Sequence, residues 1–255
     1  MARVIATINQ KGGVAKSASS INISYCLANN LGKKTLLCDL DSQNNSGKVY
    51  AKNQEFTVND LFLDHNFATK KAVFPSQLDD KQVENLDVIN SSIHLAKISE
   101  QIASKIHREK ILIKHLNRIK QDYDYIILDC PSNLGVITVN AICASDLLLI
   151  PINYDTKAIE GFTDLINTIE EVKECPISDC PHLIIRTMYD ARNSQTNELV
   201  ESALQDYPNI ATVRIRRNEA INQSRMVDEP IFTYDKKSHG ADDYKALTEK
   251  IITYG

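Results

Sequence analysis

The sequence predicts an α/β fold: a mostly parallel, twisted β-sheet with helices on both faces. Short apolar runs such as VIATI from Val4, TLLCDL from Thr35, YIIL from Tyr125 and LLLIPI from Leu147 alternate with stretches of helical character. Runs of that kind suit strands buried on both faces. A glycine-containing loop, NQKGGVAKS at 9–17, follows the first run. Two runs end in or beside an acid, Asp39 and Asp129, where the ligand-binding edge of such a sheet lies.

In chain order, Val4–Ile8 reads as the first strand. Ser17–Leu31 reads as a helix with Ile21, Tyr25 and Ala28 among its apolar residues, and Gly32 follows at the C-cap position. Lys34–Leu40 is the second strand, which completes a βαβ unit with the glycine loop at its first turn. Over 51–110 the pattern predicts short helices, a turn near Pro75 and a strand at Leu86–Ile89. Ile106, Ile113, Leu116 and Ile119 recur at roughly helical spacing and predict a helix. It leads into Tyr125–Leu128, a buried strand closed by Asp129. Leu147–Ile152 and Leu183–Ile185 are further strands. No internal repeat or linker interrupts the chain, so 1–255 is expected to form a single domain. With so few residues before the loop, no N-terminal helix-turn-helix domain is expected, nor repression of its own operon.

Hydrophobic residues make up 43% and charged residues 24%, an ordinary globular composition. A formal net charge of −4 means that any nucleic-acid binding must come from a local basic patch. No apolar run is long enough to cross a bilayer, and the N-terminus enters a strand directly, without a signal-peptide core. The six cysteines form no CxxC pair, so a reduced cytoplasmic protein is the expectation. CPISDCP at 175–181 holds the closest pair, but zinc would need two further ligands.

The chemistry gathers at one sheet edge. A glycine loop opening a helix aims backbone N–H groups at phosphate oxygens. Lys16 is placed to reach β- and γ-phosphates, and the Ser17 hydroxyl to ligate Mg²⁺. Asp129, ending a later strand, has the position of a carboxylate that holds Mg²⁺ through water.

NQKGGVAKS resembles the deviant Walker A motif, KGGxxK(S/T), of the ParA/MinD ATPases. LLCDLDSQNNS at 36–46 resembles that family's DxDPQ motif, with Ser42 replacing proline, and YDYIILDCPSNLG at 123–135 its Walker B and switch region. Further blocks are similar at 151–166 (IPINYDTKAIEGFTDL), at 186–194 (RTMYDARNS) and from Ile215 onward. The match covers roughly 1–50 and 123–252, whereas 51–110 has no counterpart. Within the family it is closest to the Soj-like partition ATPases.

The resemblance implies a P-loop NTPase fold of the deviant Walker A, SIMIBI type. It implies a slow, Mg²⁺-dependent ATPase that forms a homodimer around two ATP molecules. Lys11 would cross to the partner's nucleotide, Lys16 would bind in cis, and Asp41 would orient the attacking water. Gly12, Gly13, Val14, Ala15, Lys16, Ser17 and Ala18 would cradle the nucleotide, with Arg217 and Asn218 beside its adenine. Ser17, Asp39 and Asp129 would serve the Mg²⁺ site. Ala15 is read as a tolerated variation at a position where glycine is common.

As an ATP dimer the chain would bind non-specific DNA, associate with the nucleoid and answer to a ParB-type partner. The DNA-binding candidates are Arg192, which matches an arginine of the family's TMYDxR block, and Arg214, Arg216 and Arg225, which with Arg217 would rebuild a basic ridge where Ala220 replaces the relatives' second arginine. Positioning of a protein cargo is an alternative. So is a MinD-like membrane role, which the acidic polar side of the C-terminal helix disfavours. An electron-transfer iron protein of the same fold would need a cluster-sharing cysteine pair that Cys130 and Cys143 do not match.

Overall fold

The computed structural model describes residues 1–51, 54–155 and 161–254. The described strands are β1 (Arg3–Thr7), β2 (Thr35–Asp39), β3 (Phe74–Leu78), β4 (Lys81–Ile89), β5 (Tyr125–Asp129), β6 (Leu147–Asn153), β7 (His182–Tyr189) and β8 (Ile210–Arg216). They form one sheet in the order β3-β4-β2-β5-β1-β6-β7-β8, parallel throughout except for the β3–β4 pair. Strand β1 therefore lies between β5 and β6, where the order switches, and the crevice beyond its carboxyl end is the ligand site expected of such a sheet.

Alternation along the strands supplies two cores. Val4, Ala6, Leu36, Cys38, Ile126, Leu128, Leu148 and Ile150 point to one face. There they meet α3 (Val58–Leu63), α4 (Leu95–Ile102), α5 (Ile111–Asn117), α6 (Val136–Ala144) and α7 (Phe162–Lys173), with α8 (Ser194–Leu204) joining through Val200 and Leu204. Ile5, Leu37, Ile127, Leu147, Leu149, Leu183 and Ile185 point to the other face. They meet α1 (Lys16–Tyr25), α2 (Gly47–Tyr50), α9 (Glu219–Met226), α10 (Ile231–Tyr234) and α11 (His239–Thr253). The stripe Tyr244, Leu247 and Ile251 on α11 is fully buried, so this helix packs on the sheet. Among the described residues, no helix is long and apolar enough to cross a membrane.

Three local expectations need correction. Pro75 lies in the edge strand β3, opposite Asp87, with a register shift between Pro75 and Gln77. An edge strand tolerates proline because its outward N–H needs no ladder partner. The turn instead falls at Asp79 and Asp80, both with positive φ. Ile106 is 85% exposed and lies outside any helix; His107, at φ 59°, breaks the chain before α5 starts at Ile111. Finally, the helix expected over Ser17–Leu31 forms but widens after Tyr25, where Leu31 N–H reaches back five residues to the Cys26 carbonyl. Gly32 then turns the chain with φ +63°. Strand β8 carries no clear apolar run, since only Ala211 and Ile215 are buried, and the sequence pattern does not reveal it.

Candidate nucleotide site

Parallel pairing puts Thr7, Asp129 and Asp39 in one row across β1, β5 and β2, at the carboxyl edge. The loop leaving β1 crosses above that row and enters α1. Gly13 at φ +76° and Ala15 at φ 68° turn it, so Ala15 holds a left-handed conformation that a Cβ disfavours by about 1 kcal/mol. Alanine is thus accommodated here at the cost of local strain. Val14 is buried, and its carbonyl accepts a hydrogen bond from Thr187 Oγ1 on β7 at 3.2 Å.

Lys16, the first residue of α1, is nearly buried. Its Nζ donates to the Lys11 carbonyl at 3.0 Å and to Ser132 Oγ at 2.7 Å. Burial holds its ammonium below the usual lysine value, opposed chiefly by the Asp129 charge, with Asp41 also contributing. Ser132 lies in the 123–135 block, three residues after Asp129, yet nothing in the local sequence assigns it a role.

Asp129 is fully buried and accepts from Ser20 Oγ at 3.1 Å through one oxygen. Its other oxygen, Oδ2, and the neighbouring Thr7 Oγ1 have no hydrogen-bond partner among the described residues. Burial, and then the nearby Asp39, raises Asp129 to about 7, with the Ser17 hydroxyl pulling the other way. A buried carboxylate oxygen without a donor, next to a serine hydroxyl at the head of a helix, fits a hard divalent cation.

Asp39 is differently employed. Its Oδ1 accepts Asp41 N–H at 2.8 Å; its Oδ2 accepts Ser46 N–H and Oγ at 2.8 Å and Gly47 N–H at 2.9 Å. These bonds organise the 41–47 loop and leave Asp39 without the free oxygen expected of a carboxylate serving a metal. Burial still raises it. Asp41, half-buried on that loop, accepts Gln43 N–H at 3.0 Å, and its own carbonyl accepts from Ser91 Oγ.

The front half of the glycine loop is tied to the segment after β6. Asn9 Nδ2 donates to the Pro151 carbonyl at 2.7 Å, while Asn9 Oδ1 accepts Lys11 N–H at 2.9 Å. Lys11 Nζ pairs with Asp155 Oδ2 at 3.0 Å. In the single chain the extra lysine is therefore an ion-paired group rather than a free loop cation. Part of the 151–166 block, residues 156–160, lies outside the described residues. A Cβ at Gly12 or Gly13 would meet nothing within 4 Å among the described residues, but only Gly13, at φ +76°, has a backbone that calls for glycine. Contacts among the described residues therefore do not explain why position 12 lacks a side chain.

A cavity of ≈ 580 Å³ opens beside the loop, bordered by Ala15, Ala18, Arg217, Asn218, Ile221 and Tyr244. That size suits a base and ribose. Asn218 caps α9, its Oδ1 accepting Ala220 N–H at 2.8 Å, which leaves its amide NH₂ as a donor. Arg216 and Arg225 also line this cavity.

The DNA-binding candidates are mostly engaged within the chain. Arg214 pairs with Glu201 at 3.0 Å and stacks over Tyr189 at 4.8 Å. Glu201 also binds Arg186 at 2.6 Å. Arg216 pairs with Asp243 at 2.6 Å. Arg192, largely exposed, is held by Asp190 at 2.7 Å, a carboxylate that this pairing draws down to about 2. Arg192 and Arg216 are each paired with an acid of their own, whereas Arg214 shares the single Glu201 carboxylate with Arg186, so that cluster keeps one net positive charge. Arg217 and Arg225 remain exposed.

Comparison with known proteins bears on this geometry. Residues 2–179 match the AAA domain family. The chain is 35% identical to sporulation initiation inhibitor protein Soj of Bacillus subtilis over 100% of both chains. It is 33% identical to the chromosome-partitioning ATPase Soj of Treponema pallidum, over 99% of this chain and 98% of that one. Its fold superposes, with a TM-score of 0.83 at 24% identity, on cobyrinic acid a,c-diamide synthase of Mycobacterium smegmatis with bound ATP analog and magnesium; the match covers 99% of this chain and 94% of that one. With full-length identity of this order and the deviant glycine loop, Lys16 and Asp129 gathered at one sheet edge, the chain belongs to the ParA/MinD family of P-loop ATPases.

Proposed function

We propose that this chain is a partition ATPase. It binds ATP with Mg²⁺, dimerises with both nucleotides at the interface and holds non-specific DNA as the ATP dimer. Hydrolysis is slow until a ParB-type partner stimulates it, and the cycle segregates a plasmid or chromosome. The carrying observation is the buried Lys16 ammonium in the field of Asp129, whose Oδ2 has no donor among the described residues, one position on from Ala15, which borders a cavity of nucleoside size. Full-length likeness to a chromosome-partitioning ATPase supports the biological role.

In this reading Lys16 and the N–H groups at the head of α1 bind the β- and γ-phosphates. Ser17 and Asp129 hold Mg²⁺, which supplies charge neutralisation on the phosphates. Asp39 acts through the loop it anchors, setting Asp41 where it orients water. Arg217 and Asn218 border the base. Lys11 leaves Asp155 and stabilises developing charge on the partner's nucleotide, as an arginine finger does. The unexplained bareness of Gly12 supports close approach of a second subunit at that point.

DNA retention measured with ATP, with ADP and with a Lys11→Ala variant, over a salt series, tests this reading. Retention with ATP alone, lost in Lys11→Ala and falling steeply with salt, is expected. Equal retention in all three samples overturns it. The internal pairing of Arg192, Arg214 and Arg216 favours one second reading, a protein-positioning ATPase of the same family. ATP-dependent dimerisation without DNA retention selects that reading instead.

A further inference from the structure

At the opposite end of the sheet from the nucleotide edge, the connection from α7 to β7 brings two thiols together. Cys175 Sγ and Cys180 Sγ lie 2.9 Å apart. That is within an ångström of the S–S bond length, about 2.05 Å. The approach is built in by the loop. Glu174 turns the chain with φ 54°, and Cys175 N–H closes onto the Glu170 carbonyl at 3.3 Å. The Glu170 carboxylate then accepts Ile177 N–H at 2.8 Å. Asp179 N–H returns to the Pro176 carbonyl at 2.9 Å and Cys180 N–H to the Ile177 carbonyl at 3.2 Å. Four hydrogen bonds thus hold the two ends of this short loop side by side.

The two sulfurs differ in access. Cys175 is half-exposed and Cys180 is buried. Lys173, two residues before Cys175, places a cation near both thiols. Among the described residues, no third His, Cys, Asp or Glu joins them in a cluster that could hold a metal. Cys26, Cys38 and Cys130 are buried in the packed core.

We infer that Cys175 and Cys180 form a reversible oxidation site, a dithiol that low-molecular-weight disulfides convert to an intramolecular disulfide. The Cys175 thiolate attacks one sulfur of the small disulfide, forming a mixed disulfide and releasing one thiol. Cys180 loses its proton and attacks Cys175 Sγ, expelling the second thiol. The net reaction converts the dithiol and one small disulfide into one protein disulfide and two small thiols, so two electrons pass to the reagent. Cys175 is the entry point because it is the thiol that solvent reaches, while burial and then the adjacent Cys175 raise the Cys180 thiol. The product ties the end of α7 covalently to the start of β7.

The folded protein is incubated with glutathione disulfide over a range of ratios to glutathione, then quenched, counted for free thiols and mapped by peptide mass spectrometry. The expected count falls from six thiols to four, with the new bond between Cys175 and Cys180 and full recovery on reduction. Cys175→Ser should keep all its remaining thiols, whereas Cys143→Ser should still lose two. Three results overturn the inference: six thiols at every ratio, a bond involving any other cysteine, or glutathione left attached at Cys175 without displacement by Cys180.

Discussion

The carboxyl ends of β1 and β5 and those of β7 and β8 lie on the same sheet edge, yet they handle charge in opposite ways. At the first, Lys16 and Asp129 are buried, with Asp129 Oδ2 left without a donor and its proton affinity raised. At the second, Arg186 and Arg214 share Glu201, Arg216 takes Asp243, and Arg192 takes Asp190. A buried group without a partner costs free energy in the empty protein and recovers it when a ligand arrives. An arginine already paired gains less from a phosphate, because a bond must be given up for each one made. Uncompensated burial therefore marks the binding centre more sharply than positive charge does.

The contrast can be broken most directly at Lys16. Lys16→Ala should lower ATP hydrolysis by more than about a hundredfold, since it removes the buried cation proposed to bind the phosphates. Hydrolysis close to wild type would mean that the charge there is structural. On the paired side, Glu201→Ala should leave ATP binding intact and cost about 2–3 kcal/mol in denaturant titration. It strands the nearly buried Arg186, and the figure is reduced because Arg214 is partly exposed. Unchanged stability would show that these arginines are not committed internally.

The third expectation concerns pH. Asp129 has a folded-state value raised above its unfolded one, so its contribution to stability is fully present below about 4. That contribution is lost as pH rises through about 7. A cation binds the ionised form, so its affinity moves oppositely. Mg²⁺–nucleotide binding by calorimetry should be about tenfold weaker at pH 6 than at pH 8. Asp129→Asn supplies the nucleotide's own pH dependence as a baseline, and identical slopes in both proteins would remove Asp129 from the metal site. The smallest effect is expected at Arg225, exposed on the cavity rim. Arg225→Ala should weaken DNA retention severalfold and reduce the salt slope by about one. Arg216→Ala should leave that slope unchanged, its guanidinium already being held by Asp243.

Residues whose chemistry depends on local spacing are legible in the sequence itself. Gly12, Gly13, Lys16 and Ser17 lie within six positions of one another, and the helix they open is specified by its own neighbours. Asp129 is legible because an apolar strand ending in an acid is a short-range pattern. Ser132 and Asp155 are not, since each acquires its role from a residue more than a hundred positions away: Ser132 bonds Lys16 and Asp155 bonds Lys11. Arg216 misleads because its acid comes from another element, whereas the acid that holds Arg192 is Asp190, only two positions away. Nothing near Arg216 in sequence announces Asp243, which reaches it from α11. Pro75 and Ile106 show the limit of pattern reading, for a proline marks a turn only if the chain there is not an edge strand. Helical spacing likewise buries a residue only if the helix extends to it.

Local sequence settles the βαβ start, the alternation of buried strands and the phosphate loop, because backbone sterics and apolar burial act over a few residues. Strand order, and with it the register that lines up Thr7, Asp129 and Asp39, was decided only by the tertiary structure. So was the sorting of charges into those with partners and those without. Whether a charge is compensated depends on what distant segment packs within about 4 Å of it, and only the folded chain sets that distance.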